Sequence, residues 1–157
     1  MREYTEQALI DFQAGTGVDQ HGRTLAEVVQ MDDRFWEDSH DHIQWVFPTA
    51  QKSRFNPAAP VVTDPTVYAT PHMAEACARF LSFLRSSPRW KLPGNHNQMR
   101  ISRALQCLDM FGHAEEAAEL RAWLGRETSR WPERIWLQRI YREYWERPAV
   151  KVYKSTS

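Results

Sequence analysis

This 157-residue chain has only two cysteines, few glycines at six, and no net charge. Cys77 and Cys107 have no cysteine near them and no metal-ligand spacing, so zinc knuckles and dense disulfide frameworks are excluded. Both fall beside Ala or Leu in helical patterns and read as buried thiols of a reducing, cytoplasmic setting, with a disulfide between the two as the alternative. No run approaches the roughly 18 apolar residues of a membrane span. Acidic residues interrupt MREYTEQALIDFQ, which is unlike a secretory leader. The glycine-bearing stretch GTGVDQHG lacks phosphate-loop spacing and follows a helical pattern rather than a strand.

The charge balance is uneven along the chain. Residues 1–50 carry three basic and ten acidic side chains, whereas residues 121–157 carry nine basic and four acidic. The plainer consequence is attraction between the two ends; the sharper one is a basic surface for a polyanion. Interspersed Glu127, Glu133, Glu143 and Glu146 dilute that surface, which disfavours nucleic acid as a partner.

Aromatics, by contrast, are plentiful: seven Trp, seven Phe and five Tyr promise a firm core. Apolar residues recur at helical spacing almost throughout, and no period-2 strand stands out. A first helix spans about residues 3–14 and stops at Gly15. Thr24, with Glu27 three residues on, caps a short second helix. Trp36, His40, Ile43 and Phe47 share one face of a helix running from Asp32 or Asp33 to Phe47 and stopped by Pro48. Pro48, Pro57, Pro60 and Pro65 mark a long extended strap. Further helices follow: one opened by Thr70-Pro71, one capped by Asn95 with Gln98 as box partner, one from Ala114 to about Gly125, and one over about residues 133–146. The expected class is all-α: an irregular bundle of six to seven helices over residues 1–150, with residues 151–157 as a loose tail.

Three stretches carry a resemblance. They are GTGVDQHGRTLAEVVQMDD from Gly15, HDHIQWVFPTAQKSRFNPAAPVVT from His40, and HNQMRISRAL from His96. They look like the Gly-Arg-Thr-Leu, His-x-x-Ile-Gln-Trp-Leu-Phe-Pro and His-Asn-x-x-Arg-Ile-Thr-Arg patterns of the opioid growth factor receptor conserved region and its bacterial relatives. Val46, Ser102 and Ala104 stand where that family usually has Leu, Thr and Ile. The resemblance implies a helical domain and, as a family label, receptor activity toward an enkephalin-type peptide in vertebrate members. It carries no catalytic residues and no cofactor.

Candidate ligand-binding residues come from the second and third stretches: His40, Gln44, Trp45, Asn56, His96, Asn97, Arg100 and Arg103. His40 reads first as a core histidine with bonded ring nitrogens, and otherwise as an acid or base lining a pocket. His40 and His42, two apart on a helix, point about 200° away from each other and do not easily share a metal, and Asp38 with His42, four apart, makes two ligands, too few alone. Gln44, Trp45 and Asn56 read as fasteners of the strap. His96, Arg100 and Arg103 lie at i, i+4 and i+7 and make either an anion site at a helix start or a set of ion pairs to the acidic first third. Asn97 falls near the apolar side. With no nucleophile beside a base, the leading expectation is a non-enzymatic module for a peptide or protein partner; the alternatives are a small-anion site or enzyme at His96, Arg100 and Arg103, and weak nucleic-acid binding.

Overall fold

In a computed structural model, described here for residues 3–148, the protein is all-α, and no strand occurs among the described residues. Eight α-helices follow one another: α1 Glu6–Ala14, α2 Leu25–Gln30, α3 Asp33–Asp38, α4 Ile43–Val46, α5 Met73–Ser86, α6 Asn97–Met110, α7 Ala114–Ser129 and α8 Ile135–Ile140. A π-helical turn, Tyr141–Trp145, continues α8. Two 3₁₀ turns, Pro65–Val67 and Pro88–Lys91, punctuate the connectors. The expected loose tail lies outside the described residues.

Local chemistry explains most boundaries. Gly15 ends α1 in the left-handed region at φ 86°, which lets its N–H reach back to Asp11 and Phe12 carbonyls. Thr24 and Glu27 form a reciprocal capping box at α2. Asp32 caps α3 by accepting from the Phe35 N–H. Two expected starts shift. α5 begins at Met73, after a turn at Pro71 and His72. α6 begins after His96, and Gln98 is no box partner: its amide donates to the Trp90 and Leu92 carbonyls at 2.9 and 2.7 Å.

Eight helices stand among the described residues where about six to seven are expected, because the segment from Asp33 to Phe47 is two helices. α3 ends at Asp38, and Ser39 turns to an extended conformation (ψ 131°). Asp41 anchors the break: its carboxylate accepts from Ser39 Oγ at 3.0 Å and Arg23 Nη2 at 3.2 Å, with His21 Nε2 at 2.5 Å. Helices of four to six residues do not persist alone. Side chains from the long helices finish them. Gln13 of α1 donates to the Trp45 and Val46 carbonyls at the end of α4, at 2.6 and 3.1 Å. Arg100 of α6 serves α3 in the same way.

One hydrophobic cluster runs from Leu9 on α1 to Trp145 in the π turn. Trp36, Trp45, Trp90 and Trp145 are its largest fully buried members. Each indole N–H is satisfied: by Val28 O, Gln20 Oε1, Leu84 O and Ser102 Oγ respectively. The strap lies over this core with Ala58, Ala59 and Val62 buried. Tyr4 N–H donates to Ala58 O, and Val62 N–H to Thr49 O. Glu6 accepts from the Thr63 N–H and the Tyr68 hydroxyl, both at 2.8 Å. Burial alone would raise the Glu6 pKa; these hydrogen bonds outweigh it and hold the carboxyl below its ordinary range.

Among the described residues, the ion pairs do not join the acidic start to the basic end. Arg23 pairs with Asp19, Arg79 with Asp33, Lys91 with Glu127 and Arg121 with Asp109. Both cysteines are buried free thiols, as their helical setting suggests. No helix of the described residues is long and apolar enough to cross a membrane.

Candidate functional site

The second and third signature stretches meet. His40 and His96 pack edge to face with ring centroids 5.6 Å apart. Asn97 Nδ2 donates to Glu37 Oε2 at 2.8 Å, and His96 Nε2 lies 3.3 Å from the same oxygen. Both imidazoles line an open groove of about 690 Å³. His40, Ile43 and Gln44 form one wall, and the strap from Thr49 to Phe55 contributes another. Met99, Ser102, Arg103 and Gln106 line it from α6, and Ile140 and Tyr144 from the C-terminal helix and π turn.

Five of the eight sequence candidates therefore border one groove: His40, Gln44, His96, Arg100 and Arg103. His40 is exposed, not a core histidine. The helix carrying Trp36 ends before it, so the expected shared face does not exist. The buried imidazole is His42, which packs against Phe35 and Trp36 and whose two ring nitrogens have no hydrogen-bond partner. Trp45, Asn56 and Asn97 are buried and stand behind the groove.

The fasteners work through one amide. Asn56 Nδ2 donates to Gln20 Oε1 at 2.8 Å, Gln44 Oε1 at 3.2 Å and Asp41 O at 3.3 Å. Gln20 Oε1 also accepts from the Trp45 indole at 2.9 Å. The loop after α1, the start of α4 and the strap are thus tied at a single node. Asn56→Ala leaves buried Gln44 Oε1 without a strong donor and is expected to cost about 2 kcal/mol. Urea unfolding checks this, and a change in midpoint too small to resolve would show that the node holds nothing.

Arg100 turns its guanidinium to oxygens of its own chain. Its guanidinium donates to the Trp36 carbonyl, to Ser39 O at 2.6 Å and to Asn97 Oδ1 at 3.2 Å. Nor is it ion-paired, the other sequence expectation; its partners in the first third are backbone oxygens. Burial pushes its pKa down to about 10, partly offset by Glu37 and Asp38, so it stays charged at neutral pH. Arg103 donates to Phe47 O at 3.2 Å from the groove wall. The anion-site alternative loses its central donor.

Sequence reasoning missed Lys52, Arg54, Phe55, Met99 and Tyr144, all of which line the groove. The signal was the Lys52-Ser53-Arg54-Phe55 run inside a proline-rich strap, since loops on rigid scaffolds carry binding residues. No group of three His, Cys, Asp or Glu side chains among the described residues is arranged to hold a metal. Neither thiol is poised as a nucleophile: burial raises the Cys77 pKa to about 12 and that of Cys107 well above its ordinary value.

The fold and this groove define a class: a helical domain whose strap and helices frame an open, amide- and cation-lined surface cleft. Compared with protein-family models, curated proteins and solved structures, the chain matches none.

Proposed function

We propose that the chain is a non-enzymatic binding module that takes a segment of a peptide or protein partner into the groove beside its strap. What carries the reading is the convergence of both signature stretches on one groove. Its volume falls in the range of about 300–1,000 Å³ usual for ligand sites. Phe55, Met99 and Tyr144 are 60%, 54% and 61% exposed around it, apolar anchors open to a partner. The backbone beneath is fixed by Asn56 and Arg100, so a partner meets a preorganised surface. The resemblance to the opioid growth factor receptor conserved region supports a binding role without naming the ligand. Two buried free thiols support a cytoplasmic setting.

The test is selection of a random peptide library, displayed on phage, against the immobilised chain. Phe55→Ala combined with Tyr144→Ala removes only exposed rings, so the variant should fold. Peptides enriched on the wild-type chain are expected to bind this variant about tenfold more weakly. Failure to enrich any peptide, or binders indifferent to the variant, would overturn the reading.

A further inference from the structure

The groove is strongly one-signed in a chain with no net charge. Lys52, Arg54, Arg100 and Arg103 line it beside the imidazoles of His40 and His96, and no Asp or Glu is among the described lining residues. Where donors are occupied, much of that occupation leaves the charge intact. Lys52 Nζ donates to the Pro57 and Ala59 carbonyls at 3.0 and 3.1 Å, and Arg100 to those of Trp36 and Ser39. Carbonyl oxygens hold a cation in place but do not cancel its field. Arg54 lies 5.4 Å above the Phe55 ring, also an uncharged partner. Glu37, beside the groove, is engaged by His96 and Asn97, and together with Asp38 it offsets part of the Arg100 charge.

We propose that the occupant of the groove is an acidic segment of a protein partner, with apolar side chains set between its carboxylates. This rests on the binding-module reading and adds the partner's chemistry. Charge complementarity selects the carboxylates, and the exposed Phe55, Met99 and Tyr144 select the apolar side chains between them. A nucleic-acid strand fits less well. Single strands need aromatic faces in series, whereas Phe55 and Tyr144 come from different elements and Arg54 already covers one face of Phe55.

The experiment scores the net charge of the peptides enriched on the full chain. It then measures their affinity, by fluorescence anisotropy, for wild-type and Arg54→Glu protein. A thymidine decanucleotide serves as a second probe. Arg54 is exposed and makes only a ring contact, so its reversal leaves the fold alone. The expected result is an acidic enriched pool, about tenfold weaker binding to Arg54→Glu, and weakening as salt rises. Neutral or basic peptides that still depend on Phe55 and Tyr144 would sink the acidic-partner proposal while leaving the binding module standing. Tighter, Arg54-dependent binding of the decanucleotide than of any peptide would transfer the groove to nucleic acid and overturn it as well. An empty selection defeats both readings together.

Discussion

Arg100→Ala is expected to lower the melting temperature by about 10 °C, through a loss of about 3 kcal/mol. The side chain is 5% exposed and reaches across from α6 to the end of α3. There it meets the Trp36 and Ser39 carbonyls, which the broken helix cannot satisfy internally. Removing the guanidinium strands both oxygens, and a hydrogen bond from a charged donor contributes about 1.5–3 kcal/mol. The desolvation of Arg100 itself offsets part of that sum, which keeps the expectation below the total of its bonds. Arg100→Lys should recover less than half, because one ammonium on a narrower head does not span two carbonyls as a planar fork does. Arg100→Met keeps the stem and isolates the lost donors. Thermal and urea unfolding measure all three, and an alanine variant melting within about 2 °C of wild type would remove Arg100 from its structural role.

The same residue shows why only part of this fold was legible in the sequence. Where a boundary is local chemistry, reading it succeeds: Gly15 at positive φ and the Thr24–Glu27 box stand where the pattern puts them. The break after Asp38 is different. Trp36, His40, Ile43 and Phe47 keep helical spacing across it, so periodicity argues for one continuous helix. The chain turns instead because Arg100, 61 positions beyond Ser39, and Asp41 with its partners from the Asp19–Arg23 loop satisfy the broken ends. Such contacts have no local signature. The candidate site divides in the same way. Spacing alone brought His96, Arg100 and Arg103 to one helix. It could not tell that Arg100 points into backbone oxygens, or that the cations of the strap complete the groove.

His42→Leu is expected to make the protein about 1–3 kcal/mol more stable at neutral pH and to flatten its loss of stability in acid. Both nitrogens of this ring are buried without a partner, between Phe35 and Trp36 at centroid distances of 4.9 and 4.8 Å. A buried donor and acceptor left unmade carry a desolvation cost that leucine does not. Burial first, and then the nearby Arg100 and Arg23 charges, push the pKa of His42 down to about 3 from its ordinary 6.5. Above pH 6.5 the imidazole is neutral in folded and unfolded chains alike, and it adds no pH dependence. Below that value the unfolded chain takes up a proton that the folded one refuses. Each further pH unit then removes up to about 1.4 kcal/mol, until the folded ring itself titrates near pH 3. At pH 5 His42 should accordingly account for close to one proton of the uptake on unfolding, and His42→Leu should lower the wild-type uptake by that amount. Urea unfolding at a series of pH values between 7 and 4 reads the difference as a slope. His42→Phe, which keeps a flat ring, separates the loss of the imidazole from any change in packing. If both variants lose stability in parallel with wild type as the pH falls, the ring has a proton partner in the folded chain and is not the source of acid sensitivity.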